Sequence, residues 1–197
     1  MARRSRAGTT GLARPAASEE RALTKPVDPA EKARDICLRQ LTDGPRTAAQ
    51  LGTAMARRGI ESDVAEAVLA RLGDVGLIDD AAFAAAWVTS RHAGRGLARR
   101  ALAHELRTRG VADPLVDAAV AELDPDQEAA TARALAARRL AASRGLDSAV
   151  RFRRAAALLA RKGYSSQLSY RVIREALEAE HDGAAADLPD LVGSLDD

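Results

Sequence analysis

The sequence predicts an all-α protein, three tandem three-helix modules of helix-turn-helix type forming an elongated, curved array. Three observations carry that expectation. Ala accounts for 46 of the 197 residues, and aromatics for only 3%; Ala is the best helix former, and the residues that favour strands are scarce. A basic-Gly landmark recurs as Arg57-Arg58-Gly59-Ile60, Thr108-Arg109-Gly110-Val111 and Arg161-Lys162-Gly163-Tyr164, its glycines 51 and 53 residues apart. Helix-start signals stand in the same frame.

Nine helices follow in order. The first, 29–41, opens at Asp28-Pro29-Ala30-Glu31, with a cap acceptor, a proline at the first helical position and a Glu three residues after the cap. The second, 47–58, has capping-box spacing from Thr47 to Gln50 and ends at Gly59. The third spans 63–73, with apolar Val68 and Leu69 nine and ten residues past that glycine. The fourth, 80–93, carries Phe83, Ala84, Trp87, Val88 and Arg91 along one stripe, and Gly94-Arg95-Gly96 reads as the hinge to the next. In the fifth, 97–109, Ala98, Leu102 and Leu106 fall within about 80° of one another at 100° per residue, so they form a core stripe. Asp113-Pro114 opens the sixth, 114–123, where Ala119 and Val120 repeat the Val68-Leu69 positions. The seventh, 125–144, begins at Asp124-Pro125-Asp126-Gln127. The eighth, 148–162, turns Phe152, Ala155, Ala156 and Leu159 inward. The ninth, 166–180, holds Val172 and Ile173 at the third copy of the matched pair. Met55, Leu106 and Leu159 each stand four residues, about one helical turn, before their glycine.

These helices group as modules over 28–78, 79–123 and 124–180. Each is about 50 residues, small for a domain standing alone, so neighbours are expected to bury surface against one another as repeat arrays do. Residues 1–27 carry six basic and two acidic side chains among Gly, Ser, Thr and Pro, and read as a disordered basic arm. Residues 181–197 read as a disordered acidic tail, since from 178 onward there are seven acidic groups and no Lys or Arg.

The formal net charge of +2 hides an uneven distribution. From Arg91 to Arg109 six Arg face Glu105 alone, and from Arg133 to Lys162 nine basic residues face Asp147 alone. Opposite the core stripe of the fifth helix lie Arg100, His104 and Arg107, and the matching eighth helix exposes Arg154 and Arg161. Charges kept for solubility mix both signs, and these hardly do, so the ridges read as a surface for an acidic partner. Trp87 is expected as a core anchor because Phe83 and Val88 share its face. Arg91, one turn on, is expected in a structural ion pair, with stacking on Trp87 or partner contact as alternatives. Arg95 in the hinge completes the basic set.

Signs of catalysis are missing. None of the three lysines lies in a phosphate-binding GxxxxGKS-like loop, no HExxH pattern occurs, and no Ser, His and Asp group as a triad. The expectation is a protein that is not an enzyme and holds no cofactor or metal. The single cysteine, Cys37, excludes an intramolecular disulfide and reads as an inert core thiol. No apolar run approaches the roughly 20 residues that cross a bilayer. No apolar h-region follows Arg3, Arg4 and Arg6, which argues against a secretory signal. A cytoplasmic monomer without membrane contact is the simplest expectation, an organellar transit peptide the lesser one.

The stretch Leu77 to Val111 resembles the signature region of the RecX regulatory proteins. The positions that carry the resemblance are Asp79, Asp80, Phe83, Ala84, Trp87, Val88, Arg91, Gly96, Leu102, Glu105, Leu106 and Gly110. It extends more loosely over 29–180, through Arg161 to Ile173, and leaves out the arm and the tail. The resemblance implies a non-catalytic, three-module helical protein that docks in the groove of the RecA recombinase filament and restrains it. Filament growth, ATP hydrolysis and strand exchange would be reduced, placing the protein in recombination, DNA repair and the SOS response. Arg91, Arg95, Arg100, His104, Arg107, Arg154 and Arg161 are the candidate surface for the recombinase. The same ridges suit phosphates of single- or double-stranded DNA within the filament.

Two other readings stay open. Residues 45–80 could form a winged helix-turn-helix, making the chain a DNA-binding transcription factor; two further copies of the pattern and the want of a hairpin wing weigh against it. A scaffold for some other acidic partner is the third.

Overall fold

The computed structural model describes residues 28–186; the expected basic arm, 1–27, and the stretch from 187 to 197 of the expected acidic tail lie outside the described residues. Among those described there are nine α-helices and no strand: α1 Pro29–Thr42, α2 Ala48–Ala56, α3 Ser62–Asp74, α4 Asp80–Arg95, α5 Arg99–Thr108, α6 Asp113–Ala121, α7 Pro125–Ala141, α8 Ser148–Arg161 and α9 Ser166–Ala186. They pack as three three-helix modules, each around its own core.

Local chemistry sets the starts. Asp28 accepts from the Ala30 N–H at 3.1 Å, and Asp124 from that of Asp126 at 2.9 Å, each with proline next in the chain. At α2 the capping box is complete: the Thr47 hydroxyl accepts from the Gln50 N–H, and the Gln50 side chain from the Thr47 N–H, both at 3.2 Å. Asp79 caps α4 through the Ala82 N–H at 2.8 Å.

Leu51, Met55, Val68 and Leu72 with Cys37 make the first core, Val88, Leu102, Leu106 and Val116 the second, and Leu140, Leu159, Val172 and Ile173 the third. Met55, Leu106 and Leu159, the three residues one turn before the landmark glycines, are all fully buried. Cys37 sits in the first core as expected, and burial pushes its thiol pKa up.

Several boundaries differ from the sequence reading. α4 runs through Arg95 and α5 begins at Arg99, so the expected Gly94-Arg95-Gly96 hinge shifts to Gly96-Leu97-Ala98, with Gly96 left-handed at φ 60°. α7 stops at Ala141, three residues early, where the Ser143 hydroxyl takes the Arg139 and Leu140 carbonyls and Gly145 turns the chain. α9 continues to Ala186, so residues 181–186, expected in the disordered tail, are helical; an alanine run there favours continuation. Ala98 is not part of the α5 stripe. It is the N-cap residue, and its methyl joins the third core instead of the second.

The landmark glycines explain how modules join. A Cβ on Gly110 would lie 2.3 Å from the Cβ of Ala49 near the start of α2, and one on Gly163 would lie 2.4 Å from the backbone N of Ala101 in α5. Beside each, the preceding carbonyl accepts a hydrogen bond from the N-cap residue of the neighbour's second helix. The Thr47 hydroxyl donates to the Arg109 carbonyl at 2.7 Å, and the Ala98 N–H to the Lys162 carbonyl at 2.9 Å. In the first module the equivalent Gly59 has open space around it, and the Arg58 carbonyl accepts from Lys32 Nζ at 3.3 Å. One joint is thus used twice, and every intermodular hydrogen bond among the described residues links chain neighbours. A linear array follows, not a ball.

Candidate functional site

The joint places the second helix of each module end to start. The C-terminal end of α8 meets the beginning of α5, and the end of α5 meets the beginning of α2. α5 has no side-chain cap of its own. Glu128 of α7 supplies one from the next module, accepting from the Arg99 N–H at 3.0 Å while pairing with its guanidinium at 3.3 Å. The Arg99 side chain also donates to the Val120 carbonyl at 3.1 Å and to the Leu123 carbonyl, so this arginine is a structural clamp.

Positions 100, 104 and 107 share one face of α5. Arg100 and His104 are exposed, and among the described residues no ion pair forms at either. Arg107 is exposed too, but it pairs with Asp113 at 2.7 Å and Asp117 at 3.1 Å across the turn into α6, and the Asp113 hydrogen bond raises its pKa. On α8, Arg154 and Arg161 are exposed, and neither has an ion pair among the described residues. Arg151, one position before Phe152, turns inward to the Leu140 carbonyl and Glu180. The outward basic surplus is therefore narrower than the composition of the two runs: part of it is bound into the fold. Part of what remains outside, Arg100 with His104 and Arg154 with Arg161, stands on two helices joined end to start, and Arg138 on α7 and Arg144 after it are exposed as well.

Arg91 and Arg95 belong to a different grouping. Arg91 is half-buried and lies over the Trp87 ring, 4.1 Å from its centroid; the expected ion pair is absent among the described residues, and the stacked alternative holds. Glu105 is committed elsewhere, accepting from Trp87 Nε1 at 2.9 Å and pairing with Arg95 at 3.6 Å. Trp87 itself is half-buried against the second core, with Phe83 stacked on it at 5.7 Å. Arg109 also lies over the indole, at 3.7 Å. Burial, reinforced by Arg91 and Arg46, holds its pKa down against the pull of Glu105. Sequence reasoning missed Arg109 and Arg46 here; the basic-Gly landmark already contained the first.

No group of acidic, His and Cys side chains able to hold a metal occurs among the described residues, and no described helix is long and apolar enough to cross a membrane. His92, passed over as a candidate, is buried and bridges two modules. Its Nδ1 faces the Leu97 carbonyl at 2.9 Å and so carries the proton in the neutral ring, and Nε2 meets the Thr131 hydroxyl at 3.1 Å.

Models of three RecX domains match this chain in sequence order: the first three-helix domain at residues 33–72, the second at 79–120 and the third at 126–173. A protein named Regulatory protein RecX from Thermobifida fusca is 60% identical over 164 residues, 83% of this chain and 88% of its own. One of the same name from Streptomyces coelicolor is 60% identical over 155 residues, 79% of this chain and 82% of its own. The crystal structure of RecX from Lactobacillus salivarius superimposes with a TM-score of 0.71 at 18% identity, covering 76% of this chain and 97% of that one, a likeness of fold.

Proposed function

The chain belongs to the RecX family of regulatory proteins, and from that premise we propose that it binds the groove of the RecA recombinase filament and restrains it without catalysis of its own. One observation carries the reading. Arg100 and His104 on α5, and Arg154 and Arg161 on α8, are exposed basic side chains on helices that the repeated joint sets end to start. A periodic acidic surface, such as a protein polymer wound on DNA, presents its charges to several such positions at once. Contacts spread over repeats then gain from effective concentration after the first module engages. Filament growth, ATP hydrolysis and strand exchange would all slow, since each needs subunits to move or exchange within the groove. Arg91, Arg95 and Arg107, tied to Trp87, Glu105 and the start of α6, border this surface, Arg95 and Arg107 as exposed side chains that carry ion pairs.

DNA-dependent ATP hydrolysis by the cognate recombinase, titrated with this protein, is the test, with sequence-selective duplex binding measured alongside. Inhibition at substoichiometric amounts supports filament binding; selective duplex binding without inhibition replaces it with the transcription-factor reading. That reading lacks a wing, since no strand occurs among the described residues. A cytoplasmic setting and a monomeric state accompany the proposal.

A further inference from the structure

Between the first two modules lies a cleft of about 470 Å³, whose walls include Leu41, Leu77, Phe83 and Trp87, with Arg46 and Arg91 set into it. Leu77 is half-exposed, so a bulky apolar side chain stands in water at the rim. Charge at the inner end is out of balance. Arg46 and Arg91 stand near Arg109, whose neighbouring carboxylate, Glu105, is already shared between the Trp87 indole N–H and Arg95. Asp79, also on the wall, is occupied as the cap of α4. The Nε of Arg46 is buried and meets no acceptor among the described residues. Burial, with smaller contributions from Arg91 and Arg46, depresses the Arg109 pKa against the pull of Glu105.

We propose that this cleft is a docking site for a protein segment that sets a carboxylate beside a bulky apolar side chain, the carboxylate going to Arg46 and Arg91 and the apolar group to Leu41, Leu77 and Phe83. The apolar walls favour a peptide over nucleic acid, because a phosphodiester would have to shed water against them. Nor is the indole free to take a base, since two guanidiniums already lie over it. Bidentate arginine geometry suits a carboxylate, and two arginines, Arg46 and Arg91, line this cleft beside its apolar walls. This inference goes beyond the filament-binding reading: the surface there is formed by α5 and α8, and either can fail without the other.

Trp87 is the only tryptophan and stands in the cleft wall, so its emission reports occupancy directly. The full chain is titrated with the peptide acetyl-Glu-Leu-Glu-Phe-amide and with its twin carrying Gln for each Glu, and separately with inorganic phosphate and oligothymidylate. The acidic peptide gives a saturable change in emission, and the Gln twin binds about tenfold more weakly. Arg46→Ala reduces affinity by a similar factor. Leu77→Asp, at an exposed position where folding is not at stake, abolishes the response, while Arg154→Glu on α8 leaves it unchanged. Equal binding of the two peptides, no saturation by the acidic one, or a response from Leu77→Asp like that of the unaltered protein would overturn the proposal. A stronger response to phosphate or oligothymidylate than to the acidic peptide would overturn it too and make the cleft a phosphate site.

Discussion

Tyr164 shows how much one side chain holds at a module joint. Its ring is 2% exposed and its hydroxyl donates to the Gly96 carbonyl at 3.1 Å, the residue that stops α4. Burial, then the charge of Glu128, pushes the phenol up to about 12. Because the folded value lies above the ordinary one of 10, the stabilising contribution is whole below pH 10 and is lost as pH rises through about 12. The unaltered protein should therefore lose roughly 2 kcal/mol more stability than Tyr164→Phe between pH 9 and pH 12. Urea unfolding at the two pH values checks this, and parallel curves for the two proteins would contradict it. At neutral pH the same substitution costs about 1–3 kcal/mol, because the Gly96 carbonyl stays buried without its donor. Thr47 plays the corresponding part at the other joint, where one hydroxyl both caps α2 and donates to Arg109.

At the scale of the element, the turn after each second helix serves two purposes. Gly59, Gly110 and Gly163 all have positive φ, 73°, 79° and 87°, which lets the chain leave the helix. Only Gly110 and Gly163 are also pressed against a neighbouring helix. Gly59→Ala therefore bears the conformational cost alone, about 1 kcal/mol. Gly163→Ala adds a clash with the backbone of Ala101 that no side-chain movement relieves, and it should cost more than Gly59→Ala by at least about 1 kcal/mol. It should also loosen the second joint, seen as faster proteolysis near Gly96 and a larger radius of gyration in solution scattering. Equal losses from the two substitutions would mean that close approach contributes nothing. In the first module, where no preceding three-helix module occurs among the described residues, Lys32 donates to the Arg58 carbonyl, much as terminal repeats of arrays carry polar outer faces.

For the whole molecule, the proposed filament binding rests on which arginines the fold leaves outside. Arg100→Glu combined with Arg154→Glu should leave helicity and melting unchanged, because both are exposed and neither has an ion pair among the described residues. Inhibition of the recombinase should weaken by about tenfold or more. Full inhibition by the folded double variant would remove the α5 and α8 surface from the mechanism. Arg107→Glu is a poorer probe, since it sets a third carboxylate beside Asp113 and Asp117 and disturbs the α5–α6 turn.

Helix number, the caps Asp28, Thr47 and Asp124, the threefold landmark and its three buried apolar partners were legible in the chain, because each depends on residues within a turn or two of one another; Asp113, expected to open the sixth helix at 114, is instead the first residue of α6 and pairs with Arg107. Glycine spacing showed that modules repeat but not how they join, since the joint is made with a helix about 60 residues away in sequence, at Ala49 and Ala101. Charge was the least legible feature. Arg100 and Arg107 lie within about 20° of each other on a helical wheel, yet Arg107 pairs across a turn and Arg100 faces water. A guanidinium reaches several ångströms from its backbone, so its partner depends on what packing brings within that reach. Periodicity along one chain carries no record of it.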